Sequence, residues 1–532
     1  MKKIINQIDI KYRIIHKISE SSNGFVYKIQ EKNTGELLVM KLIKKSSIKL
    51  ENYTNFQDEL DLYINSPHDN IIRIYEYFID DVNFIIITEF LNGNDLLSTI
   101  TSIKLEKYSE DNVYFIINQL FKAVDYFHSK LNVFNCVLHP ENIIVCINET
   151  KDSKDMKDLN DNKVFLTADN TKTDIKLDTK NETKNETKND IIDMNKNVNK
   201  IQNKFQIKII NVGSRFYAKN NSYLYTSYYL SPELLIKKNI ENINTNNNVN
   251  PSIIKMDEWV CGIILYLISF GNPPFYGNNN TEITNNIIKG ELFLFSEQYK
   301  IINKLITDLL VVNVNNRIAI KDALNSAWLI NMKKNISEGI LSTKYGLKVQ
   351  ENLNSFNSKE KFIKAIVDYI EIYKCSQETV QKLYSIFEKN KGRNITNLSY
   401  NELRFGFEFN FGPSIADFEL EKIHILLDKD KDKNGNIDFK VFLTYYFKCS
   451  QEFSKEKLRL SIKNLEIKND KNDKNDNKFL ISDILAILNL NNNSTLSQFI
   501  SSLNSLMKEQ IIITNEELFE LLFKTYKLGI NY

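Results

Sequence analysis

The amino-acid sequence predicts a multidomain α+β protein in which a β-rich lobe precedes an α-rich lobe and an all-α domain closes the chain. Three patterns predict it. Residues 12–90 alternate in strand fashion through FVYKI, LLVMKLI and NFIIITEF, whereas residues 111–130 and 255–330 carry apolar side chains at helical spacing. From about Ser376 to the end, helical runs alternate with short polar loops.

At 532 residues the chain exceeds one core, since a domain usually takes roughly 100–200 residues. Apolar residues make up 42% and charged residues 26%, enough to fill several cores, so most of the chain should fold. Lys+Arg of 69 against Asp+Glu of 67 leaves a formal charge of +2, without the basic excess that binding a phosphate backbone demands. Nucleic acid is therefore not an expected partner. Cys136, Cys146, Cys261, Cys375 and Cys449 form no C-x-x-C pair, which argues against a disulfide framework or zinc site and for a reducing, cytoplasmic compartment. The opening MKKIINQIDIKYR has no long apolar stretch, and Lys2 stands where N-myristoylation needs Gly, so no membrane anchor is expected.

From Glu149 to Lys204 aromatics almost vanish, Lys, Asn, Asp and Thr dominate, and KNET occurs twice in succession at Lys180–Thr187. Such a stretch cannot bury enough apolar surface to offset its ordering entropy and is expected to be a disordered insertion. The flanking β-like runs NIIVCI (Asn142–Ile147) and FQIKIIN (Phe205–Asn211) make it an overgrown hairpin loop. Its closure is tolerable, because each doubling of loop length costs only about 0.6 kcal/mol. Past Leu329, the run Ser358–Tyr373 places Phe362, Ile366, Ile370 and Tyr373 on one helical face, with Lys359, Lys361 and Lys364 near its start. The expected units are an extension 1–11, a bilobal domain 12–330 interrupted at 149–204, a junction segment 331–375 and a helical domain 376–532.

Three spaced elements of the first lobe carry a chemical signal. Ile18–Val26 (ISESSNGFV) sits where a Gly-rich loop over ATP phosphates would read G-x-G-x-x-G-x-V; only Gly24 and Val26 remain. Val39-Met40-Lys41 follows as the strand lysine of V-A-I-K, and Glu59 lies on a predicted helix where it could pair with that lysine. Phe84–Phe90 supplies another strand, with Thr88 at its end and Glu89 opening a linker between lobes. Downstream come Pro140-Glu141-Asn142, Val212-Gly213, Ser231-Pro232-Glu233, Asp257-Glu258-Trp259, Gly271-Asn272-Pro273-Pro274-Phe275 and Arg317. In order and spacing these resemble the Ser/Thr protein kinases across about Tyr12–Leu329. The resemblance implies a bilobal protein-kinase fold, a nucleotide site at Ile18, Gly24, Val26, Lys41, Glu59, Thr88 and Glu89, and a buried Glu233–Arg317 pair.

The chemistry of that family is not retained. In its catalytic loop H-R-D-x-x-x-x-N the Asp takes the substrate proton and the Asn holds a metal ion. Five residues before the retained Asn142 stands Val137, within Asn135-Cys136-Val137, and valine can accept no proton. The D-F-G motif reads Asn211-Val212-Gly213, so the carboxylate that should grip Mg²⁺ is a neutral amide. A missing base costs about 10²–10⁴ in rate, and a lost charged metal ligand several kcal/mol more. No catalytic residue is expected. His139 is the nearest candidate for a stand-in base, against the plainer reading of a polar residue on a surface loop.

An EF-hand loop offers oxygens at positions 1, 3, 5, 7, 9 and 12, with Gly at 6 and a bidentate Glu at 12. Asp430, Asp432, Asn434, Gly435, Asn436 and Asp438 satisfy positions 1 to 9, but position 12 is Val441. One weak calcium site is the expectation. Placing Glu402 or Glu517 at position 12 leaves Lys391, Arg393 and Ile395, or Leu506, Lys508 and Gln510, at positions 1, 3 and 5, none able to ligate calcium. A further unit near Asn472–Asp483 lacks the Gly and a clear register. Kinase domain, amphipathic junction and four such units resemble the calcium-dependent protein kinases. In that family calcium closes the EF-hand domain on the junction helix and relieves inhibition of the kinase. The expected function is that of a degenerate, regulatory or scaffolding member with protein partners such as an active kinase or its substrate. ATP is expected to bind weakly with little Mg²⁺ dependence. The alternatives are a divergent active Ser/Thr kinase, or a calcium sensor whose kinase lobe serves as a docking surface.

Overall fold

The computed structural model describes residues 8, 10–21, 23–103, 108–134, 136, 138–147, 205–217, 227–236, 255–293, 299–340, 347–391, 397–427, 436–465, 478–488, 497–506 and 512–525. The expected insertion 149–204, Val137 and the loop positions Asp430, Asp432 and Asn434 lie outside the described residues.

The small lobe is an antiparallel sheet of β1 (Tyr12–Ser21), β2 (Gly24–Glu31), β3 (Leu37–Lys44), β4 (Ile74–Ile79) and β5 (Asn83–Glu89), in the order β1-β2-β3-β5-β4. Because side chains alternate faces, Ile43, Phe84 and Ile86 meet Phe56 and Leu60 of helix α1 (Tyr53–Asn65) on one side. Tyr27, Met40, Leu42, Ile85 and Ile87 face the other side. That second face is covered as well, by helices from the carboxy-terminal region. Double coverage explains why NFIIITEF reads as a near-continuous apolar run.

A second, three-stranded sheet of β6 (Gly93–Asp95), β7 (Ile143–Ile147) and β8 (Phe205–Ile209) lies at the lobe junction. β7 and β8 pair antiparallel from Ile143↔Ile209 to Ile147↔Phe205, as expected of two strands flanking one loop. The large lobe is built on α2 (Leu96–Ser102), α3 (Glu110–Ser129), α4 (Pro232–Ile236), α5 (Met256–Phe270), α6 (Asn280–Lys289), α7 (Lys300–Leu309), α8 (Ile320–Ala323) and α9 (Ala327–Ser337). Almost every residue of α5 is buried. Its Trp259 stacks on Phe275 at 5.5 Å and carries the Arg317 guanidinium 5.0 Å above its ring. Arg317, fully buried, grips Glu233 with two hydrogen bonds of 2.9 and 3.0 Å, the fork geometry that makes a buried ion pair worthwhile.

One helix, α10, runs unbroken from Leu347 to Lys391. The expected junction helix is its middle, and no break occurs at Ser376. Then follow β9 (Asn397–Leu398), α11 (Tyr400–Phe411), α12 (Pro413–Leu427), β10 (Ile437–Asp438), α13 (Phe439–Lys463), β11 (Lys478–Leu480), α14 (Ile481–Leu488), α15 (Ser497–Leu506), β12 (Ile512–Thr514) and α16 (Asn515–Thr525). Short strands join these units two by two, β9 with β10 and β11 with β12. The first pair packs on the outer face of the small-lobe sheet: Phe411 lies 5.7 Å from Phe25, Phe418 meets Tyr27 edge-on at 5.4 Å, and Glu419 accepts from Tyr27 at 2.6 Å. Ile8, from the expected extension 1–11, joins the same core. The second pair encloses Phe362, Ile366, Ile370 and Tyr373 of α10.

Candidate functional site

The cleft between the lobes begins at the β1–β2 turn. Gly24 has φ 153°, and a Cβ there would fall 1.9 Å from the Leu42 carbonyl oxygen, so this glycine is demanded by β3 whatever the cleft binds. Ile18 sits at a register break in β1, between the paired residues Lys17 and Ser19. Val26 lies opposite Lys41, and Val39 opposite Thr88. Thr88 donates its hydroxyl to the Glu89 carbonyl at 3.2 Å. The Glu89 carboxylate bridges the lobes, accepting from Lys208 at 2.6 Å and from the Arg73 amide at 2.7 Å.

The expected Lys41–Glu59 pair is not formed. Lys41 donates to the Asn211 amide oxygen at 3.1 Å and to the Tyr217 hydroxyl at 2.9 Å, and Tyr217 in turn donates to Asn211 at 3.2 Å. Glu59 instead pairs with Arg215 at 2.5 Å and accepts from Tyr63 at 2.8 Å. The reason is local. Gly213 adopts φ 72°, and the turn Ser214–Phe216 that follows carries Arg215 under α1 and Tyr217 back against Lys41. A Cβ at Gly213 would meet Phe56 at 2.7 Å, so glycine permits the turn to pack there. Burial pushes the Glu59 carboxyl above its ordinary value, while Arg215, the Tyr63 hydroxyl and the Gly213 amide pull it back. Mg²⁺ does not fit this arrangement, because Asn211 offers no charge and its oxygen already accepts two hydrogen bonds.

In the catalytic-loop region Asn142 sits in the short turn Pro140–Asn142, and His139 caps it by accepting from the Glu141 amide at 3.3 Å. His139 is not a surface residue. It is buried, packed edge-on against Tyr229 at 4.5 Å, and burial depresses its pKa to about 4. A weakly basic ring whose Nδ1 is already engaged is a poor general base. Behind the loop, Asp257 accepts from the Cys136 amide at 2.9 Å and meets His128 at 3.0 Å. Burial would lower the His128 pKa, but hydrogen bonds and charge from Asp257 and Glu258 outweigh it and lift the ring to about 9.

The long helix α10 crosses the mouth of this cleft. Lys364 forms a short hydrogen-bonded ion pair with Glu141, Lys361 lies 3.5 Å from Asp95 and bonds Ser98, and Tyr229 donates to Glu360 at 3.3 Å. Burial alone would lower the Lys364 pKa; the charges of Glu141 and Asp368 reverse that and raise it. What remains open is about 190 Å³, bordered by the Gly24 turn, Lys41, Asn142, Asn211 and Tyr217 on one side and by Lys364, Asp368 and Glu371 of α10 on the other. Tyr217, Arg215 and Asp95 were not singled out in the sequence. No local pattern marks them, since their roles depend on which lysine or glutamate the fold brings opposite.

Residues 12–159 and 188–329, more than half of the chain, match the model of the protein kinase domain. The chain belongs to the protein kinase family. It is similar to calcium-dependent protein kinase 4 of Plasmodium berghei, with 26% identity over 472 residues, 85% of this chain and 76% of that protein. It is also similar to calcium-dependent protein kinase 5 of Plasmodium falciparum, with 27% identity over 437 residues, 80% of this chain and 63% of that protein. These matches extend past the kinase domain and support membership of the calcium-dependent group. Among the described residues, no helix is long and apolar enough to cross a membrane.

Within this kinase-family frame the carboxy-terminal loops can be put in register. Leu398 pairs with Ile437, and Phe479 with Ile513. Leu398, Ile437 and Ile513 each stand four residues before the expected position 12 (Glu402, Val441 and Glu517), so Phe479 assigns position 12 of the third loop to Asp483. The sequence lacked this register because only the partner strand supplies it. Asn436 and Asp438 of the best loop are described, and the Asp438 carboxylate caps α13, accepting from the Lys440 and Val441 amides at 2.9 and 3.0 Å. Val441 packs into the core shared with the small lobe. Glu402 and Glu517 are engaged locally: Glu402 accepts from the Ser399 amide at 2.8 Å, and Glu517 from the Thr514 amide at 2.7 Å. These are helix-capping roles.

Proposed function

We propose that this kinase-family protein transfers no phosphate and works as a regulatory or scaffolding partner of other proteins, such as an active kinase or its substrate, in the cytoplasm. The observation that carries the reading is the engagement of Lys41 by Asn211 and Tyr217 instead of Glu59, in a chain with Val137 at the position of the catalytic base. The helix α10, held on Glu141 and Asp95 by its own lysines, adds a second obstacle to a protein substrate. Calcium binding is proposed to be weak and confined to the Asp430 loop, and ATP binding to be weak and nearly indifferent to Mg²⁺.

The rival reading, a divergent active kinase, draws on the retained Lys41, Asn142 and Glu233–Arg317 pair. A phosphotransfer assay with radiolabelled ATP on the full chain separates the two. Background incorporation, into itself and into a basic substrate, is expected. Incorporation that Lys41→Met abolishes would refute the proposal.

A further inference from the structure

The phosphate end of the cleft already holds a hydroxyl. Lys41, the strand lysine expected to meet a nucleotide phosphate, spends its ammonium on the Tyr217 hydroxyl at 2.9 Å and the Asn211 oxygen at 3.1 Å. The tyrosine ring is 5% exposed, lies 5.4 Å beneath the Lys41 ammonium and packs edge-on to Phe56 at 6.1 Å. The surrounding charge also disfavours a polyphosphate. Glu141, Asp368 and Glu371 line the space together with Lys41 and Lys364, and Lys364 is already paired with Glu141. A triphosphate entering there would meet three carboxylates and, with Asn211 in place of an aspartate, would lack the metal ion that usually offsets its charge. Of the other residues expected to border a nucleotide, Val26 lies opposite Lys41 and Val39 opposite Thr88 on adjoining strands, and both valines offer apolar surface.

We propose that the Tyr217 hydroxyl stands in for a nucleotide phosphate on Lys41, so that this cleft takes an uncharged adenine nucleoside in preference to a nucleoside triphosphate. The proposal rests on the kinase-family reading of the cleft as a nucleotide site. It makes Tyr217 a specificity-determining residue, because displacing it is the step that a triphosphate requires and a nucleoside does not.

The test is equilibrium dialysis of the full chain against radiolabelled adenosine and radiolabelled ATP, each with and without Mg²⁺. Adenosine is expected to bind at least as tightly as ATP, and Mg²⁺ to change neither affinity. Tyr217→Phe keeps the ring and removes the hydroxyl. Freeing one charge-assisted hydrogen bond should raise ATP affinity about tenfold, leaving adenosine affinity unchanged. ATP binding tenfold tighter than adenosine in the unmodified chain overturns the proposal while leaving the nucleotide-cleft reading intact, and this comparison needs no variant to fold. Equal effects of Tyr217→Phe on both ligands, or none on ATP, also overturn it. Failure of both compounds to bind at millimolar concentration overturns the proposal and the nucleotide-cleft reading together.

Discussion

Two residues of the cleft, Lys41 and Arg215, carry unequal expectations for stability. Arg215 is the cationic partner of a nearly buried Glu59. Removing one member of a fully buried pair costs about 3–5 kcal/mol; Arg215 is 28% exposed, so Arg215→Ala should cost about 2–3 kcal/mol. Lys41→Met should cost about 1 kcal/mol or less, because it strands only neutral acceptors. Denaturant unfolding checks the contrast, and a larger loss for Lys41→Met would mean that Lys41 is the partner of Glu59 in solution. His139, buried, and His128, half-buried, make stability depend on pH in opposite directions. The folded His139 titrates near 4, below its ordinary value of 6.5, so its contribution is present above 6.5 and is lost as pH falls through 4. The folded His128 titrates near 9, so its contribution is complete below 6.5 and is lost as pH rises through 9. Each limb is of the order of 3 kcal/mol. His139→Gln should flatten the acid limb of a melting-temperature profile and His128→Gln the alkaline limb; an unchanged profile in either variant would contradict the assignment.

At the scale of elements, the contact of α10 with the large lobe near residue 364 turns on Lys364 and Glu141, because Phe362, Ile366 and Ile370 there face the second helical pair, whereas Leu353 earlier in the helix packs into the large-lobe core. Lys364→Ala leaves the Glu141 carboxylate beside Asp368 without its cation. Hydrogen exchange should therefore quicken along α10 around residue 364 while the end of the helix near Leu383 and Phe387, held in the small-lobe core, stays protected. Uniform protection would show that the ion pair contributes little. Caps at the other end of the chain carry a related expectation. Glu402 closes a capping box with Ser399 at the start of α11, so Glu402→Ala should cost about 0.5–2 kcal/mol without touching calcium binding. A calorimetric change in calcium affinity on that substitution would restore the first loop as a ligand site.

For the whole molecule, both carboxy-terminal pairs are already occupied. The first shares a core with the small-lobe sheet and adds the Lys17–Glu419 pair at 3.0 Å; the second encloses α10. Calcium opens a hand by drawing on the position-12 carboxylate at the start of the exiting helix. Here that position is Val441, packed into the shared core, so calcium should leave the scattering profile of the full chain unchanged. Micromolar binding accompanied by a change in overall dimensions would show a working sensor. Val441→Glu should raise affinity at the Asp430 loop, and calorimetry that finds no gain would mean that the loop register is misplaced.

What the sequence determined by itself is the part written in local period and spacing. The strands of 12–90, the kinase-family anchors from Lys41 to Arg317, the Phe362–Tyr373 helix and the residue types Val137 and Asn211 at the expected base and metal positions are all legible there, because each is a matter of residue type at a fixed offset. The partner of each charge was decided only by the tertiary structure. Glu59 met Arg215 instead of Lys41, His139 went inside, Phe479 found its register opposite Ile513, and the outer face of the small-lobe sheet was covered by residues nearly four hundred positions away. Period and spacing are properties of neighbouring residues. Pairing between distant charges is set by which turn a single glycine such as Gly213 permits, and by which surfaces remain apolar once the first cores have formed.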